Sequence, residues 1–289
     1  MTKRLCRQIG FGKPLLFWGF SLAFGLSRRT SMCSALSSHI LSLLYNQYYF
    51  IFAILPILLF FCGSVMEDDP IIFVFRYGSY KHYFTVKWRS LGVLCSGLWL
   101  GQITILFVTG AGLSVIKQGW DNFSGSSLLK EIAPLLVKSF PGAWVAVFCA
   151  AVYMLMGYWL IALLTLWLGH FLQRQKAIKL LLALYILTIL SIKLPIMSRP
   201  PFCYLTGINH WVLLLHNLTA GWRFPLTAIV TLLFVVTVIC SIRGGWRSAA
   251  HHHRISKGLP AYYRHILFSA SNFLVLAISL ALLVGWVWC

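Results

Sequence analysis

Long apolar runs separated by short polar segments dominate the chain. A membrane-spanning helix needs about 20 mostly apolar residues, and seven runs are candidates by that measure, the first of them short. They cover residues 14–26, 40–65, 91–116, 143–168, 178–196, 225–242 and 266–287. The pattern predicts an all-α integral membrane protein, a polytopic bundle of six to seven transmembrane helices, with 266–287 as the possible extra seventh span.

The composition excludes a soluble domain. Of the 289 residues 60% are hydrophobic and only 10% are charged, whereas a soluble domain carries about 25% charged residues. The net charge of +19 would suggest nucleic acid as a partner of a soluble protein. Here the bases lie in short segments between apolar runs, so we expect membrane lipid and no nucleic acid as their partner.

The distribution of bases predicts the orientation. With the N-terminus inside, sixteen of the 24 lysines and arginines fall in inner segments and eight in outer ones. Basic residues collect on the cytoplasmic side of membrane proteins. The bias therefore predicts a cytoplasmic N-terminal segment, 1–13, and a cytoplasmic segment at 66–90, with seven spans placing the C-terminus outside.

Two outer segments differ from simple loops. Residues 200–222 contain an apolar stretch that is far too short to span a membrane. Glycine, asparagine and histidine interrupt it, so we predict an extracytoplasmic re-entrant segment that dips into the membrane. Residues 121–141 have apolar positions at helical spacing, which predicts a helix lying on the outer membrane surface.

The inner segment 66–90 combines acids, bases and aromatic residues. Three of the five acids of the chain open it, at Glu67, Asp68 and Asp69, and Pro70 follows. Acids stabilise a helix N-terminus and proline is accepted in a first turn. We predict a short helix on the inner surface, a turn at Gly78 and a second amphipathic piece. An ordinary interfacial helix between two spans is the alternative.

Motifs for chemistry are missing from the sequence. It contains no Gly-x-x-x-x-Gly-Lys-Ser/Thr phosphate loop and no His-Glu-x-x-His, and its apolar runs contain no paired carboxylates. We therefore expect no catalytic residue, no metal site and no cofactor in this chain. The eight cysteines lie mostly inside apolar runs, which favours buried small hydrophobes over a disulfide framework.

A Gly-x-x-x-Gly pattern, Gly97 and Gly101, lies inside an apolar run. Small residues four apart let two helices approach closely in a membrane. We predict helix packing at this pair, although the pattern is also common by chance.

The segment 66–90 resembles the first cytoplasmic loop of permease subunits of type-2 ABC exporters, of the bacteriocin, lantibiotic or peptide export and immunity type. The resemblance rests on the acid-proline start Glu67–Pro70 and on Arg76-Tyr77-Gly78-Ser79. The basic N-terminal segment and the dipping segment 200–222 are similar too, so that roughly residues 1–243 are covered. Such permeases usually have six spans and an inward C-terminus, and the run 266–287 departs from that layout.

The resemblance implies one permease domain, 1–289, in the bacterial cytoplasmic membrane. A separate ABC ATP-binding subunit, which carries ATP and magnesium, would clasp the inner helix and drive alternating access, and a second permease copy or a homologous permease would complete the path. Its acids could pair with bases of the ATPase, and its apolar side chains could fill a groove. The residues implied in ATPase coupling are Glu67, Asp68, Asp69, Pro70, Ile71, Phe73, Phe75, Arg76, Tyr77 and Gly78.

Two other functions stay open at this point. One is a non-transport membrane immunity or assembly protein that binds a peptide or partner in the bilayer. The other is a membrane enzyme acting on lipid or prenyl groups, which the missing acids disfavour. For a permease, outward-facing aromatic residues and a mostly uncharged interior suit a peptide or another amphipathic or hydrophobic cargo.

Overall fold

The computed structural model describes residues 2–29, 35–46, 49–66, 80–115, 136–138, 140–171 and 174–193. Within these ranges the chain is helical and forms no strand, apart from an isolated bridge between Ala35 and Ser114. The all-α prediction is therefore confirmed for the part of the chain that is described. The predicted spans 225–242 and 266–287 and the re-entrant segment 200–222 lie outside it.

Seven α-helices and one π turn make up the described chain. The π turn, Phe50–Ile54, leads directly into α4. The helices are α1 (Thr2–Ile9), α2 (Gly12–Arg29), α3 (Leu36–Leu44), α4 (Leu55–Gly63), α5 (Tyr80–Thr109), α6 (Ala143–Phe171) and α7 (Arg174–Lys193).

Helices α2 and α5 run parallel to each other. The indole Nε1 of Trp18 donates a hydrogen bond to the backbone oxygen of Leu98 at 3.3 Å, and further along both helices Gly25 lies against Thr109. Residues 12 and 80 therefore lie towards one end of the bundle, which we call the N-terminal end. Arg29 and Thr109 mark the opposite end.

Helix α6 runs antiparallel to α5. Trp99 donates from Nε1 to the backbone oxygen of Ala151 at 2.9 Å. Nearer the opposite end, the rings of Phe107 and Trp144 stack with centroids 6.1 Å apart.

The stretch α3–α4 is antiparallel to α5, because His39 contacts Thr109 and Cys62, further along the chain, contacts Cys95. Helix α7 is antiparallel to this stretch, because Ala177 packs with Met66 and Tyr185 bonds to Ile51. The described chain therefore passes five times between the two ends.

Helices α5 and α6 are long and apolar enough to cross a membrane, over His82–Thr109 and Ala143–Gly169. Together with large exposed apolar side chains such as Phe148, Phe60 and Leu100, their length supports association with a membrane. Helix α6 begins at the first residue of the predicted run 143–168. At about 1.5 Å per residue, α5 is about 45 Å long, and it ends at Thr109 before the glycine turn of Gly110 and Gly112 rather than at 116.

The amphipathic piece expected before the span 91–116 is part of the same helix. Helix α5 begins at Tyr80 and continues through the basic residues Lys87 and Arg89 into the apolar run without a break. The side chain of Lys87 is buried and lies over the ring of Tyr83. The long lysine stem packs along apolar surface, which allows the helix to continue through this basic stretch.

The predicted span 40–65 is divided in two. Helix α3 ends at Leu44, a turn follows at Tyr45 and Asn46, and the next helical stretch begins with the π turn. Pro56 explains the wide turn, because proline has no N–H and its ring collides with the carbonyl four residues earlier. We refer to residues 36–63 as the divided helix; nearly all of α3 is buried.

The basic N-terminal segment contains the amphipathic helix α1. Its apolar residues Leu5 and Ile9 are buried, whereas Arg7 is exposed. Gly10 ends the helix with a φ of 73°, a left-handed conformation that suits glycine. Lys13 then donates from Nζ to the backbone oxygen of Ile9 at 2.8 Å, which satisfies a carbonyl at the helix C-terminus.

Candidate functional site

The residues predicted to couple to an ATPase lie outside the described residues. They are Glu67, Asp68, Asp69, Pro70, Ile71, Phe73, Phe75, Arg76, Tyr77 and Gly78. The residues on either side of this segment are described. A Cβ added to Gly169, in the last turn of α6, would lie 3.1 Å from Met66, so Met66 lies at the N-terminal end of the bundle. Helix α5 begins at Tyr80 at the same end. The segment 67–79 thus leaves and rejoins the bundle at its N-terminal end.

The predicted packing pair has two different environments. Gly101 faces α2: a Cβ there would overlap the indole of Trp18, with 2.6 Å to Cε2. Gly97 is exposed, and an added Cβ would meet nothing within 4 Å. Gly101 therefore lies in a contact within the chain, and helix association through Gly97 stays a prediction.

The turn that divides the helix is built around Asn46, which is buried. Its side-chain Oδ1 accepts a hydrogen bond from the backbone N–H of Tyr49 at 2.9 Å, and its backbone oxygen accepts one from Phe50 at 3.1 Å. The backbone N–H of Asn46 donates to Leu43 at 3.2 Å. Asparagine is a favoured residue at helix N-termini because its side chain replaces the missing backbone partner. Asn46 thus stabilises an irregular backbone that would otherwise be costly inside an apolar bundle.

Beside this turn, four polar side chains from different parts of the sequence form a hydrogen-bonded chain through the interior of the bundle. Tyr158 donates to Oε1 of Gln102 at 2.5 Å, and Nε2 of Gln102 donates to the hydroxyl of Tyr49 at 3.0 Å. Tyr49 donates to Ser21 at 2.7 Å, and Ser21 donates to the backbone oxygen of Phe17 at 2.8 Å. We call these four residues, Ser21, Tyr49, Gln102 and Tyr158, the polar chain.

The polar chain joins four separate elements. Ser21 lies on α2, Tyr49 directly before the π turn, Gln102 on α5 and Tyr158 on α6. All four side chains are buried. Each donor in the chain has an acceptor, and the donors all point the same way. A buried polar network that is fully satisfied fixes one arrangement of the elements it connects.

Aromatic rings surround the polar chain and keep it away from solvent. The ring of Phe24 stacks on Tyr49 with centroids 4.4 Å apart and an interplanar angle of 5°. Phe17 packs edge-on against Tyr158 at 6.1 Å. These contacts hold both hydroxyl groups in place, because buried aromatic side chains have little rotational freedom.

A second set of polar contacts lies at the opposite end. His39 of α3 contacts Oγ1 of Thr109 through Nε2 at 3.2 Å. The guanidinium of Arg29 donates to the backbone oxygen of Ala111 at 2.6 Å. Burial lowers the pKa of His39, and the nearby positive charge of Arg29 lowers it further, so the imidazole is neutral at pH 7. These contacts fasten α2 and α3 to the end of α5.

Within the described residues no group of three or more histidine, cysteine or acidic side chains could hold a metal ion. The five acids of the chain, Glu67, Asp68, Asp69, Asp121 and Glu131, all fall outside the described ranges. The polar chain itself carries no charge at neutral pH, since serine, glutamine and tyrosine side chains are all neutral there. Its chemistry is that of hydrogen bonding and of mutual positioning of helices.

The sequence alone does not single out the polar chain or Asn46. Ser21, Gln102 and Tyr158 each interrupt an apolar run, whereas Asn46 and Tyr49 belong to a short polar stretch, 45–49, inside the predicted span 40–65. These interruptions are the available signal. Polar side chains at membrane depth are costly and often functional.

Comparisons with protein-family models, with curated proteins and with solved structures find no match for this chain.

Proposed function

We propose that this protein is the membrane-spanning permease subunit of an ATP-driven exporter of the ABC type, moved by a separate ATPase subunit. The observation that carries the proposal is the placement of Met66 and Tyr80. Both ends of the segment 67–79 lie at the N-terminal end of the bundle, where the amphipathic helix α1 also packs against α5. A partner that grips this segment would push directly on α4 and α5.

The described cations support a cytoplasmic location for the N-terminal end. Bases are more numerous there than at the opposite end, as the positive-inside rule requires of a cytoplasmic face. Among bases whose side chains are described, Arg7, Lys13, Lys87, Arg89, Lys176 and Lys179 lie at the N-terminal end, and Arg28, Arg29 and Lys138 lie at the opposite end.

The polar chain supplies the element that such a push would rearrange. Alternating access requires helices to exchange one packed arrangement for another. Breaking the hydrogen bonds between Tyr49, Gln102 and Tyr158 would remove the polar contacts that join α6 and the divided helix to α5 in the middle of the bundle. The hydrogen bonds are short but uncharged, so an ATP-driven partner can break and remake them in each cycle. The cargo class that fits is a peptide or another amphipathic or hydrophobic molecule.

Gentle extraction followed by purification tests the proposal. The protein should bring an ATP-hydrolysing chain with it, detected by mass spectrometry and by ATP turnover of the purified complex. If only this chain is recovered under conditions that preserve lipid, the proposed transport function is refuted. A non-transport immunity or assembly protein would then fit better.

A paired substitution tests the site of coupling. Phe75→Asp together with Arg76→Glu should abolish recovery of the ATPase while leaving membrane insertion intact. The matched control is Phe11→Asp with Arg7→Glu, which makes the same charge change at two exposed positions of the same end. We expect the control to retain the ATPase. Equal recovery with both variants would refute the assignment of 67–78 as the coupling segment.

A further inference from the structure

Two cysteine thiols meet inside the bundle. Sγ of Cys62, near the end of α4, lies 4.0 Å from Sγ of Cys95 in the middle of α5. Both side chains are completely buried, and both are free thiols. They are 33 residues apart in the sequence, and the segment 67–79 lies between them.

We propose that Cys62 and Cys95 form a redox-sensitive staple that, when oxidised, locks the divided helix to α5. The sulphur atoms are in van der Waals contact and would have to approach by about 2 Å, because an S–S bond is about 2.04 Å long. The proposal requires rotation of the two side chains to supply movement of that size. Cys6 is exposed and Cys149 is half-buried. Among the described cysteines, Cys62 and Cys95 are the two whose thiols are in contact.

The oxidant must be small and uncharged, because both sulphur atoms lie in an apolar interior. A hydroperoxide, with hydrogen peroxide as its simplest member, meets this condition, whereas a charged peptide disulfide does not. The sulphur of one thiol attacks one peroxide oxygen, the O–O bond breaks, and the thiol proton goes to the departing hydroxide. The products are a sulfenic acid and one water molecule. The second thiol then displaces the hydroxyl group from that sulphur, giving the disulfide and a second water. Two thiols and one peroxide become one disulfide and two waters.

Closure of the staple would have a mechanical effect. Cys62 belongs to the half of the divided helix that leads into 67–79, and Cys95 to the helix that follows this segment. A bond between them fixes the distance between the two helices on which any partner bound there would act. The inference concerns the bundle itself and does not depend on the proposed transport function. The alternative is that both thiols are inert packing groups, as buried cysteines often are.

The experiment uses the full-length protein in native membrane vesicles, with a protease cleavage site inserted into the segment 67–79. Vesicles are treated with hydrogen peroxide, free thiols are blocked with N-ethylmaleimide, and the protein is cleaved and run on a denaturing gel without reductant. We expect the two fragments to remain joined, and to separate after dithiothreitol. Joined fragments should exceed those of the untreated sample by about tenfold, because the two thiols are held in contact.

Single substitutions assign the bond. Cys62→Ser and Cys95→Ser should each return the joined fraction to the untreated level, whereas Cys149→Ser, the matched control, should leave it high. Oxidation of the exposed Cys6, read by mass spectrometry in the same sample, shows that the oxidant acted. Separate wild-type fragments in a sample with oxidised Cys6 would overturn the proposal. Joined fragments that persist in Cys62→Ser would overturn it as well. The test on wild-type fragments uses the native cysteines at both positions. It therefore remains valid even if a serine variant fails to fold.

Discussion

The hydroxyl of Tyr158 on α6 donates a 2.5 Å hydrogen bond to the side-chain oxygen of Gln102 on α5, deep inside the bundle. This bond opens the polar chain that continues through Tyr49 to Ser21. Because all of its members are buried, the loss of one donor cannot be replaced by water.

Replacing Tyr158 by phenylalanine should therefore destabilise the protein. The substitution keeps the ring and its contact with Phe17 but leaves an oxygen of Gln102 without its donor. We expect a loss of about 1 kcal/mol in the free energy of unfolding, measured by thermal or denaturant unfolding in detergent. Tyr185→Phe is the matched control, because that hydroxyl is only partly buried and bonds to Ile51 at 3.3 Å. Equal losses in the free energy of unfolding for Tyr158→Phe and Tyr185→Phe would show that the polar chain contributes no more to stability than a partly buried hydrogen bond does.

The two glycines of the Gly-x-x-x-Gly pattern should respond in opposite ways to alanine. A methyl group at Gly101 collides with the indole of Trp18, which is held by its bond to Leu98. Gly101→Ala should cost about 1–3 kcal/mol. Gly97→Ala places its methyl group in open space and should be neutral or stabilising by up to about 1 kcal/mol, because alanine favours a helix more than glycine does. Unfolding midpoints of the two variants in one detergent decide the matter. If Gly97→Ala were instead the costlier, this face of α5 would be covered by a partner.

Removing the side-chain cap at the helix division should also be costly. Asn46→Ala takes away the acceptor of the Tyr49 N–H and leaves a buried backbone donor without a partner. Loss of such a cap typically costs about 0.5–2 kcal/mol. Ser42→Ala is the control, because the hydroxyl of Ser42 bonds only to the backbone oxygen of His39 within α3. We expect the asparagine variant to unfold at a clearly lower temperature, and near-identical midpoints would contradict the capping role.

Stability should fall as the pH drops below about 6.5. His39 precedes the predicted span 40–65, and burial, followed by the charge of Arg29, lowers its pKa from the ordinary value of 6.5. The folded state thus disfavours protonation while the unfolded chain accepts a proton. The contribution of neutral His39 to the free energy of unfolding is complete above pH 6.5. It is lost as the pH falls towards and through the lowered pKa.

The check is the unfolding temperature between pH 7.5 and pH 5. His39→Gln should flatten the slope, because glutamine does not titrate. A slope unaffected by His39→Gln would place the pH dependence elsewhere in the protein.

The sequence predicted some elements well and others poorly, for physical reasons. Helix α6 begins at the predicted residue 143 because its run is uniformly apolar and a glycine-containing turn precedes it. The division at Asn46 was not predicted, since Tyr45, Asn46 and Pro56 occur in a run that is otherwise apolar enough to span. Mean hydropathy averages over the whole run, so a few polar residues or one proline do not divide the predicted span.

The polar chain could not be derived from the sequence, because its members come from four elements. Which polar side chains meet depends on how α2, the divided helix, α5 and α6 rotate against each other, and no periodicity encodes that. The coupling segment at Asp68–Gly78, by contrast, was predicted from local residue types and from a family resemblance. It remains a prediction that the binding experiment above must decide.

The π turn at Phe50–Ile54 contains one residue more than an α-helical turn over the same distance. Such a turn takes up an additional residue while the flanking helices keep their rotational phase. A deletion of one residue inside it should therefore leave α4 facing as it does now, with Cys62 still directed at Cys95. The same deletion in the middle of α5 would turn everything beyond it by about 100°. At the π turn, therefore, the chain can lose a residue without rotating the side chains of α4 away from their present neighbours.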